Sequence, residues 1–341
     1  MTEFAFQRIP APLLSWYQEN KRVLPWRENP TPYRVWVSEI MLQQTRGEAV
    51  REYYARFMQE LPTVEDLAAC AEEKLLKLWE GLGYYSRARN LQRAARQIVA
   101  IGEFPKDKKG LQALAGIGSY TAGAIASIAF GQAEAAVDGN VFRVASRLEE
   151  NPTVISDVRY RRYLEEKLSS AYPESAEERS AFTQSLFELG ALVCKPQNPD
   201  CGKCPLTGLC RAYLHGTQAQ FPVLPPKKEK RTQEIYVFLL QTREGLCICR
   251  RESGVLKGMN EFPSHVVEHG ESAENVLNEW GVYEFTEIRR GKFTHIFTHI
   301  RWNITCVYVR AESAPFDAYS LEEIKENISL PTAFKQCLQL L

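Results

Sequence analysis

The chain has 341 residues, of which 45% are hydrophobic and 25% are charged, a globular composition that excludes collagen-like and disordered classes. This length exceeds what one hydrophobic core usually organises, so we expect more than one domain. Lys+Arg and Asp+Glu both number 42, and a formal net charge of zero argues against a polyanion binder that is basic along its whole length.

From residue 10 to residue 215 the sequence predicts mainly helices. Apolar residues recur at a spacing of three to four, as in Leu13–Tyr17, Val35–Leu42 and Leu75–Trp79. Acidic residues that suit helix starts are Asp66, Asp107 and Asp157, and glycines that suit helix ends are Gly81, Gly83, Gly102 and Gly131.

The pattern changes after Cys210. Residues 216–232 combine three prolines with a charged run and have no periodicity, which predicts an extended linker. Residues 235–240, 246–249 and 304–309 are typical of strands, and residues 272–280 of a helix. The last third therefore reads as a separate α+β domain.

Compartment and membrane association follow from what the sequence lacks. No apolar run approaches the roughly 18 residues of a membrane-spanning helix, so we expect no membrane partner. The first residues lack a basic stretch followed by an apolar one, so we expect a cytoplasmic protein, associated with the nucleoid if bacterial, in a reducing compartment where disulfides are disfavoured.

Four of the nine cysteines are clustered. Cys194, Cys201, Cys204 and Cys210 have the spacing C-x6-C-x2-C-x5-C in a segment rich in proline and glycine. Four thiolates so placed can hold one tetrahedral zinc ion or one cubane iron–sulfur cluster. Because four cysteine ligands leave no open coordination position, the role is expected to be structural.

Two glycines mark a hairpin between helices. Gly116-Ile117-Gly118 follows one predicted helix and precedes another, and both glycines admit positive φ, so backbone N–H groups can converge on a phosphate oxygen. A packing corner is the alternative. Twenty residues after Gly118 the turn 137–140 places Asp138 and Asn140 together. Asp138 can cap the next helix, but capping does not explain Asn140.

The hairpin, the Val-Asp-Gly-Asn turn and the four-cysteine loop, in this order, resemble the endonuclease III superfamily of DNA glycosylases. Residues 25–27, 36–45 and 81–87 resemble the MutY-type adenine DNA glycosylases within it. The resemblance covers nearly the whole chain, and it favours a [4Fe-4S] cluster over zinc. It implies base excision repair of duplex DNA that carries adenine opposite 8-oxoguanine or guanine, by a monomer.

The resemblance implies an all-α helix-hairpin-helix glycosylase core with an iron–sulfur loop, followed by a C-terminal α+β Nudix-like domain. We expect residues 1–215 to form the catalytic region, with a six-helix barrel at about 24–132 and a cluster subdomain from 1–23 and 133–215. Residues 216–232 would be the linker, and residues 233–341 the domain that recognises 8-oxoguanine.

The resemblance also assigns the catalytic residues. Removing adenine requires an acid to make the purine a leaving group and a negative charge to support the cationic sugar. Glu39 is expected to be the acid because its apolar helix favours the protonated form. Asp138 would stabilise the sugar, Asn140 would orient it, and Tyr120 would lie between the carboxylates. Bifunctional relatives carry a lysine at position 120; tyrosine cannot form an imine, so we expect base removal alone.

The target base must leave the stack. The resemblance implies that Trp26, Arg27, Gln184 and Phe187 receive it and that Gln44 and Tyr84 hold the opposite base, core packing being the alternative for each aromatic. In the C-terminal domain, Phe297-Thr298-His299 matches a loop that senses 8-oxoguanine, and ordinary strand-end histidines are the alternative there. The helix at 274–282 lacks most glutamates of a hydrolytic Nudix helix, which argues against a pyrophosphatase.

Three positions depart from the family pattern. Gly47 stands where an aliphatic residue is usual, and it is expected to enlarge the adenine pocket or loosen its helix by roughly 1 kcal/mol. Ala115 replaces a proline, with little effect expected, and Asn260 replaces a tryptophan, which predicts a local packing change. Candidate DNA-facing cations are Arg46, Arg87, Arg89, Lys227, Lys228, Lys230 and Arg231. A catalytically silent DNA-damage binder is disfavoured because Glu39, Asp138 and Asn140 are all present.

Overall fold

The computed structural model describes residues 4–226, 229–268 and 270–341. The chain divides into two compact units, one formed by Met1–Ala69 with Arg89–Pro226 and the other by Cys70–Ala88 with Lys227–Leu341. No helix within the described ranges is long and apolar enough to cross a membrane.

Helices dominate residues 4–226. In chain order they are α1 (Pro10–Asn20), α2 (Pro25–Glu28), α3 (Pro32–Leu42), α4 (Gly47–Glu60), α5 (Val64–Ala69), α6 (Glu72–Leu78), α7 (Ser86–Ile101), α8 (Lys108–Gln112), α9 (Ser119–Phe130), α10 (Gly139–Glu149), α11 (Val158–Ser169), α12 (Ala176–Glu188) and α13 (Arg211–His215). A π-helical turn, Leu189–Val193, extends α12 towards the first clustered cysteine.

Side-chain caps explain where several helices begin. The carboxylates of Asp107 and Asp157 accept hydrogen bonds from backbone N–H groups in the first turns of α8 and α11, which confirms both predicted starts. The predicted start at Asp66 is wrong by one turn. Thr63 precedes α5, its hydroxyl accepts from the Asp66 N–H at 3.2 Å, and the Asp66 carboxylate bonds back to the Thr63 N–H at 3.1 Å.

One apolar core joins the helices that carry the site. Leu13 of α1, Phe142 of α10 and Phe182 of α12 are all fully buried in it. Because interiors are close-packed, this core fixes the start of α10 relative to the face of α12. The N-terminal residues Phe6 and Ile9 belong to the same core.

A mixed sheet organises the second unit. Its strands are β1 (Arg231–Gln241), β2 (Leu246–Arg250), β3 (Asn260–Glu261), β4 (Ser264–Val266), β5 (Phe285–Ile296), β6 (Ile300–Ala311) and β7 (Asp317–Tyr319). The order is β3-β2-β1-β6-β5, with β4 paired to β1 and β7 to β2. β1 runs parallel to β6 from Arg231↔Ile300 to Gln241↔Arg310, and β5 runs antiparallel to β6.

Both faces of this sheet are covered. Along β1, Val237 and Leu239 lie in one apolar cluster with residues 333–340, whereas Phe238 and Leu240 lie in another with Val276. Burial on both faces explains why the predicted strand at 235–240 is a continuous apolar run. The helices of this unit are α14 (Ala273–Glu279), α15 (Leu321–Glu326) and α16 (Thr332–Lys335).

The segment predicted as a linker is structured at both ends. The Arg147 side chain donates to the carbonyls of Gln218 and Phe221, both at 3.0 Å, and the Ile155 N–H donates to the Val223 carbonyl at 2.9 Å. At the other end, β1 already begins at Arg231. Lys227 and Lys228 lie outside the described residues.

Residues 70–88 were expected within the helical catalytic region, but they group with the C-terminal unit. Hydrogen bonds explain the grouping: Lys77 Nζ donates to the Ile328 carbonyl at 3.0 Å, and the Ser329 hydroxyl donates to the Leu76 carbonyl at 3.0 Å. The partners are about 250 residues apart in sequence, so no local pattern could have indicated them.

Candidate active site

A cavity of about 590 Å³ lies in the first unit, bounded by α2, α3, α9, α12 and the turn before α10. Small-molecule pockets occupy about 300–1,000 Å³, so its size suits a bound base. The structure brings eight predicted site residues to its wall: Trp26, Arg27, Glu39, Tyr120, Asp138, Asn140, Gln184 and Phe187.

Glu39 lies on α3 and is only 4% exposed. Burial raises its pKa from the ordinary 4.5 to about 7; the hydrogen bond from Tyr120 and the charge of Arg27 oppose that rise, and the charge of Asp138 adds to it. A carboxyl group with a pKa near 7 can exchange a proton at neutral pH, which is what a general acid requires.

Tyr120, in the first turn of α9, contacts Glu39 directly. Its hydroxyl donates a hydrogen bond to Glu39 Oε2, and its ring lies 5.8 Å from the ring of Phe187. Burial and the neighbouring carboxylates raise the pKa of Tyr120, so it remains a neutral donor. Because this bond occupies Oε2, the other oxygen of Glu39 is left to carry an exchangeable proton.

Asp138 precedes α10 and caps it. Its Oδ1 accepts from the Val141 N–H at 2.7 Å, and its Oδ2 accepts from the Asn140 amide at 2.9 Å. Desolvation raises the pKa of Asp138 above its ordinary value, and these hydrogen bonds offset only part of that rise because they favour the charged form. The cap and a second, separate contact to Asn140 therefore coexist, as the sequence suggested.

Hydrogen bonds continue from this turn to the cysteine loop. Arg143 Nη2 donates to the Asn140 side-chain oxygen and to the Gly190 carbonyl, both at 2.8 Å, and Arg143 Nε donates to the Cys194 carbonyl at 2.7 Å. Because one guanidinium bridges all three groups, the position of Asn140 depends on the position of the loop.

The four clustered cysteines occupy one loop, and all nine cysteines, each within the described residues, carry free thiols. Arg147 is 2% exposed, and its guanidinium donates to Cys194 Sγ at 3.2 Å and to the Lys195 and Pro196 carbonyls. In the described parts of the chain it forms no ion pair with a carboxylate. A buried cation facing a cysteine sulfur suits thiolates that bind iron. Residues 4–226, 229–268 and 270–341 contain no group of three or more His, Cys, Asp or Glu arranged to hold a single metal ion.

Arg22 and Glu188, which the sequence analysis did not single out, lie at the rim together with the predicted residue Arg27. Glu188 is fully buried and accepts from Arg22 Nη2 at 2.8 Å and from Arg27 Nη2 at 2.7 Å. Desolvation raises the pKa of Glu188, but the Arg22 hydrogen bond and the Arg27 charge more than offset that effect, so its pKa lies below the ordinary value. Arg27 is thereby fixed at the pocket wall. Its neighbour Gln184 accepts a hydrogen bond from the Tyr17 hydroxyl at 3.3 Å.

Gly47 begins α4 and lines the cavity. A β-carbon there would meet only Arg22 Nη1 and Leu42 Cδ2, each at 3.9 Å, which is ordinary contact. The space beside Gly47 therefore belongs to the pocket, as the sequence analysis expected.

The hairpin before α9 uses its two glycines differently. Gly116 has φ of +74°, and a β-carbon there would lie 2.6 Å from Asn90 Cβ, so both conformation and space require glycine. Gly118 has φ of −86° and precedes α9, so the expectation of positive φ at both glycines is wrong at this position. The Ala115 N–H donates to the Gln97 side chain at 2.8 Å, a bond that proline could not make.

The residues predicted to contact the opposite base are not among those that line the cavity. Gln44 is exposed after α3 with φ of +59°. In the second unit, Phe297-Thr298-His299 connects β5 to β6, and the Phe297 ring packs 4.7 Å from that of Trp302. The Tyr84 hydroxyl lies 2.7 Å from the Thr298 hydroxyl, so the structure joins these two predicted residues directly.

Two predicted DNA-facing cations have internal partners. Arg87 donates to the Leu82 and Gly83 carbonyls at 3.0 and 3.1 Å, and burial lowers its pKa to about 10. Lys230 donates to the Phe297 carbonyl at 2.9 Å. Both side chains therefore brace loops, and their contact with DNA stays a prediction.

Sequence reasoning missed Arg22, Glu188, Arg143 and Arg147. One signal was available for Glu188, because it follows Gln184 by four residues and so shares its helix face. A second was available for the pair Arg143 and Arg147, which are also four residues apart in a helix rich in apolar residues. No local signal marks Arg22.

The chain is similar to known proteins in both of its parts. Residues 37–170 match the profile of the HhH-GPD superfamily base excision DNA repair proteins, residues 194–210 match the iron-sulfur binding domain of endonuclease III, and residues 236–340 match a NUDIX domain. The loop at 194–210 is therefore an iron–sulfur loop of the endonuclease III type.

Among solved structures, a thermostable thymine-DNA glycosylase aligns with 62% of this chain and 97% of its own at a TM-score of 0.55 and 27% identity. A non-covalent endonuclease III–DNA complex aligns with 64% of this chain and 100% of its own at a TM-score of 0.52 and 27% identity.

The alignments with curated relatives cover more of this chain than the structural alignments do. The adenine DNA glycosylase of Mus musculus is 35% identical over 89% of this chain and 70% of its own length. That of Buchnera aphidicola subsp. Baizongia pistaciae is 31% identical over 100% of this chain and 95% of its own. That of Homo sapiens is 36% identical over 85% of this chain, which spans only 64% of the human protein. With two carboxylates facing one base-sized cavity and an iron–sulfur loop beside them, the chain belongs to the adenine DNA glycosylases of the HhH-GPD superfamily.

Proposed function

We propose that this protein, acting as a monomer, hydrolyses the N-glycosidic bond of adenine paired with 8-oxoguanine or guanine in duplex DNA, and leaves the strand intact. The observation that carries the proposal is Glu39: a buried carboxyl group with a pKa of about 7, facing the same cavity as Asp138. Two carboxyl groups in different protonation states are what acid-catalysed glycoside cleavage requires.

The first step is proton donation. Glu39, held through Oε2 by Tyr120, donates its proton to a ring nitrogen of the flipped adenine. The C1′–N9 bond then breaks, and its electron pair leaves with the protonated base. Arg27, held by Glu188, and Gln184, held by the Tyr17 hydroxyl, are placed to orient the purine.

The second step concerns the sugar. As the base leaves, positive charge develops at C1′, and the Asp138 carboxylate, which faces the same cavity, stabilises it. Asn140 fixes that carboxylate through its amide and orients the sugar or the incoming water. Addition of water completes hydrolysis and releases one proton.

Position 120 bears on strand cleavage. A lyase reaction needs an amine that forms an imine with the sugar. Tyr120 provides a hydroxyl, and that hydroxyl is committed to Glu39. We therefore propose that the product is an abasic site in a continuous strand.

Recognition of the opposite base is assigned to the second unit. The exposed Thr298 hydroxyl at the β5–β6 turn is a donor and acceptor suited to the edge of 8-oxoguanine. Tyr84, 48% exposed, presents a ring that can enter a base stack.

We further propose that Cys194, Cys201, Cys204 and Cys210 hold a [4Fe-4S] cluster, with Arg147 beside Cys194 as its counter-charge. The cluster would supply rigidity, since four thiolate ligands leave no open coordination position. Broad visible absorption of the purified protein, together with iron, would support this proposal, because d¹⁰ zinc has no such absorption. Stoichiometric zinc with no iron would refute it.

The function is tested by incubating the protein with duplexes that carry A:8-oxoguanine, A:G, A:T or C:8-oxoguanine. The expected result is free adenine and an alkali-labile site from the first two duplexes, with no prompt cleavage and no borohydride-trapped adduct. Tight binding of A:8-oxoguanine without adenine release would instead favour a silent damage binder. A trapped amine adduct would refute the monofunctional assignment.

A further inference from the structure

Residues 70–88 are attached to the C-terminal unit by polar contacts. Lys77 and Ser329 supply two of them, described above. Glu80, whose side chain is 12% exposed, supplies others. Its carboxylate meets Lys77 Nζ at 3.1 Å and Lys335 Nζ at 3.2 Å, and it accepts from the Leu330 N–H at 3.0 Å.

Glu80 directly precedes a turn whose backbone is unusual. Gly81 and Gly83 have φ of +100° and +68°, and Tyr84 has φ of +48°. A tyrosine in the left-handed region is strained and persists only where its surroundings hold it. Arg87 holds the turn through the Leu82 and Gly83 carbonyls. Glu80 holds the residue at which the chain enters the turn.

The turn delivers Tyr84 to Thr298. Their hydroxyl groups lie 2.7 Å apart, although the residues are 214 positions apart in sequence. Both side chains are exposed, so this bond is not itself fixed by burial. Its geometry depends on how the turn is anchored to the unit that carries the β5–β6 loop, and Glu80 provides that anchor.

We propose that Glu80 is a positioning residue for recognition of the base opposite adenine. It fixes the position of the 81–87 turn within the C-terminal unit, so that Tyr84 and Thr298 act together. Glu80 itself touches neither base. This inference rests on the proposed function, because it concerns the preference for 8-oxoguanine over guanine. Its effect should therefore appear in discrimination and leave the chemistry at Glu39 unchanged.

The test replaces Glu80 by Gln, which retains an acceptor for Leu330 but loses the charge that binds both lysines. Binding is measured with duplexes that place 8-oxoguanine or guanine opposite a non-cleavable 2′-fluoro-adenosine. We expect the preference for 8-oxoguanine to fall about fivefold, or about 1 kcal/mol. The rate of adenine excision from A:8-oxoguanine should decrease at alkaline pH with the same apparent pKa as in wild type. Glu73→Gln, in the same segment but 66% exposed, should change neither property.

A double variant tests whether Glu80 acts through Tyr84. If it does, Glu80→Gln combined with Tyr84→Phe should discriminate no worse than Tyr84→Phe alone, because coupled residues are not additive. Full additivity would overturn the inference. Hydrogen exchange of the 81–85 amides, independent of activity, should be faster in Glu80→Gln, and unchanged exchange would also overturn it. A wild-type protein that neither releases adenine nor prefers 8-oxoguanine would instead refute the proposed function.

Discussion

Glu39 and Asp138 face one cavity, and desolvation raises the pKa of both, but the two carboxyl groups differ in the hydrogen bonds that they accept. Glu39 lies on α3 and accepts a hydrogen bond from Tyr120. This bond lowers the pKa of Glu39 less than burial raises it. Asp138 receives donors from the Val141 backbone and the Asn140 amide, which support its charged form. Because these donors oppose desolvation at Asp138, we assign proton donation to Glu39 and support of the cationic sugar to Asp138.

The pH dependence of excision follows from Glu39. With a pKa of about 7, the protonated acid is the main form below pH 7 and is lost above it. Single-turnover rates should therefore fall about tenfold per pH unit on the alkaline side. Glu103→Gln, at an exposed surface position, is the matched control and should keep this limb. A wild-type rate that rises from pH 7 to 9 would contradict the assignment.

Tyr120→Phe tests the hydrogen bond that lowers the Glu39 pKa. Removing the hydroxyl removes a donor to the charged form, so the Glu39 pKa should rise above about 7. The alkaline limb should move to higher pH, while the aromatic packing against Phe187 is kept. The same pH series measures the shift; a limb displaced to lower pH would be inconsistent with this geometry.

Gly47→Ala tests the space beside the pocket. The added methyl group meets only ordinary contacts at 3.9 Å, and alanine favours a helix, so unfolding should require about 0.5–1 kcal/mol more. The pocket becomes narrower, so adenine excision should be retained or improved. Thermal unfolding and single-turnover rates measure both. A loss of stability would show that this site is tighter than the structure indicates.

At the scale of elements, α10 links the catalytic turn to the iron–sulfur loop. Asp138 caps it, Arg143 bridges Asn140 to the Cys194 carbonyl, and Arg147 reaches Cys194 Sγ one turn later. Because these residues lie on one rigid element, disorder in the loop should displace the carboxylate that supports the sugar.

Arg147→Met examines that link. The change leaves the Lys195, Pro196 and Phe221 carbonyls without their donor and removes the cation beside Cys194, which should destabilise the fold by about 3 kcal/mol. Bound iron per protein and the midpoint of thermal unfolding should both decrease. Arg159→Gln, whose side chain is 92% exposed, serves as control. Unchanged iron content in Arg147→Met would contradict this role.

Elements with a local signal were predictable from the sequence. The strand at 235–240, the helix from Ser272 and the caps at Asp107 and Asp157 each follow from a short pattern. The start of α5 was misplaced because threonine and aspartate share one capping box. Contacts at the rim of the cavity, such as Arg22–Glu188, join residues 166 positions apart. Such pairs produce no local pattern in the sequence.

At the scale of the whole molecule, each of the two units is built from two segments that are not consecutive in the sequence. Residues 70–88 interrupt the first unit in sequence and belong to the second, because their partners lie near residue 330. The zero net charge likewise does not conflict with DNA binding. The hairpin at Gly116–Gly118 can bind phosphate through neutral N–H groups, so positive charge is needed only locally.

Single-turnover release of adenine from an A:8-oxoguanine duplex, compared between wild type and Glu39→Gln, tests the central claim most directly. The account predicts that wild type releases adenine, that Glu39→Gln releases it at least about a hundredfold more slowly because the amide cannot donate the required proton, and that both bind the duplex. Equal release by the two proteins, or no release by wild type, would contradict it.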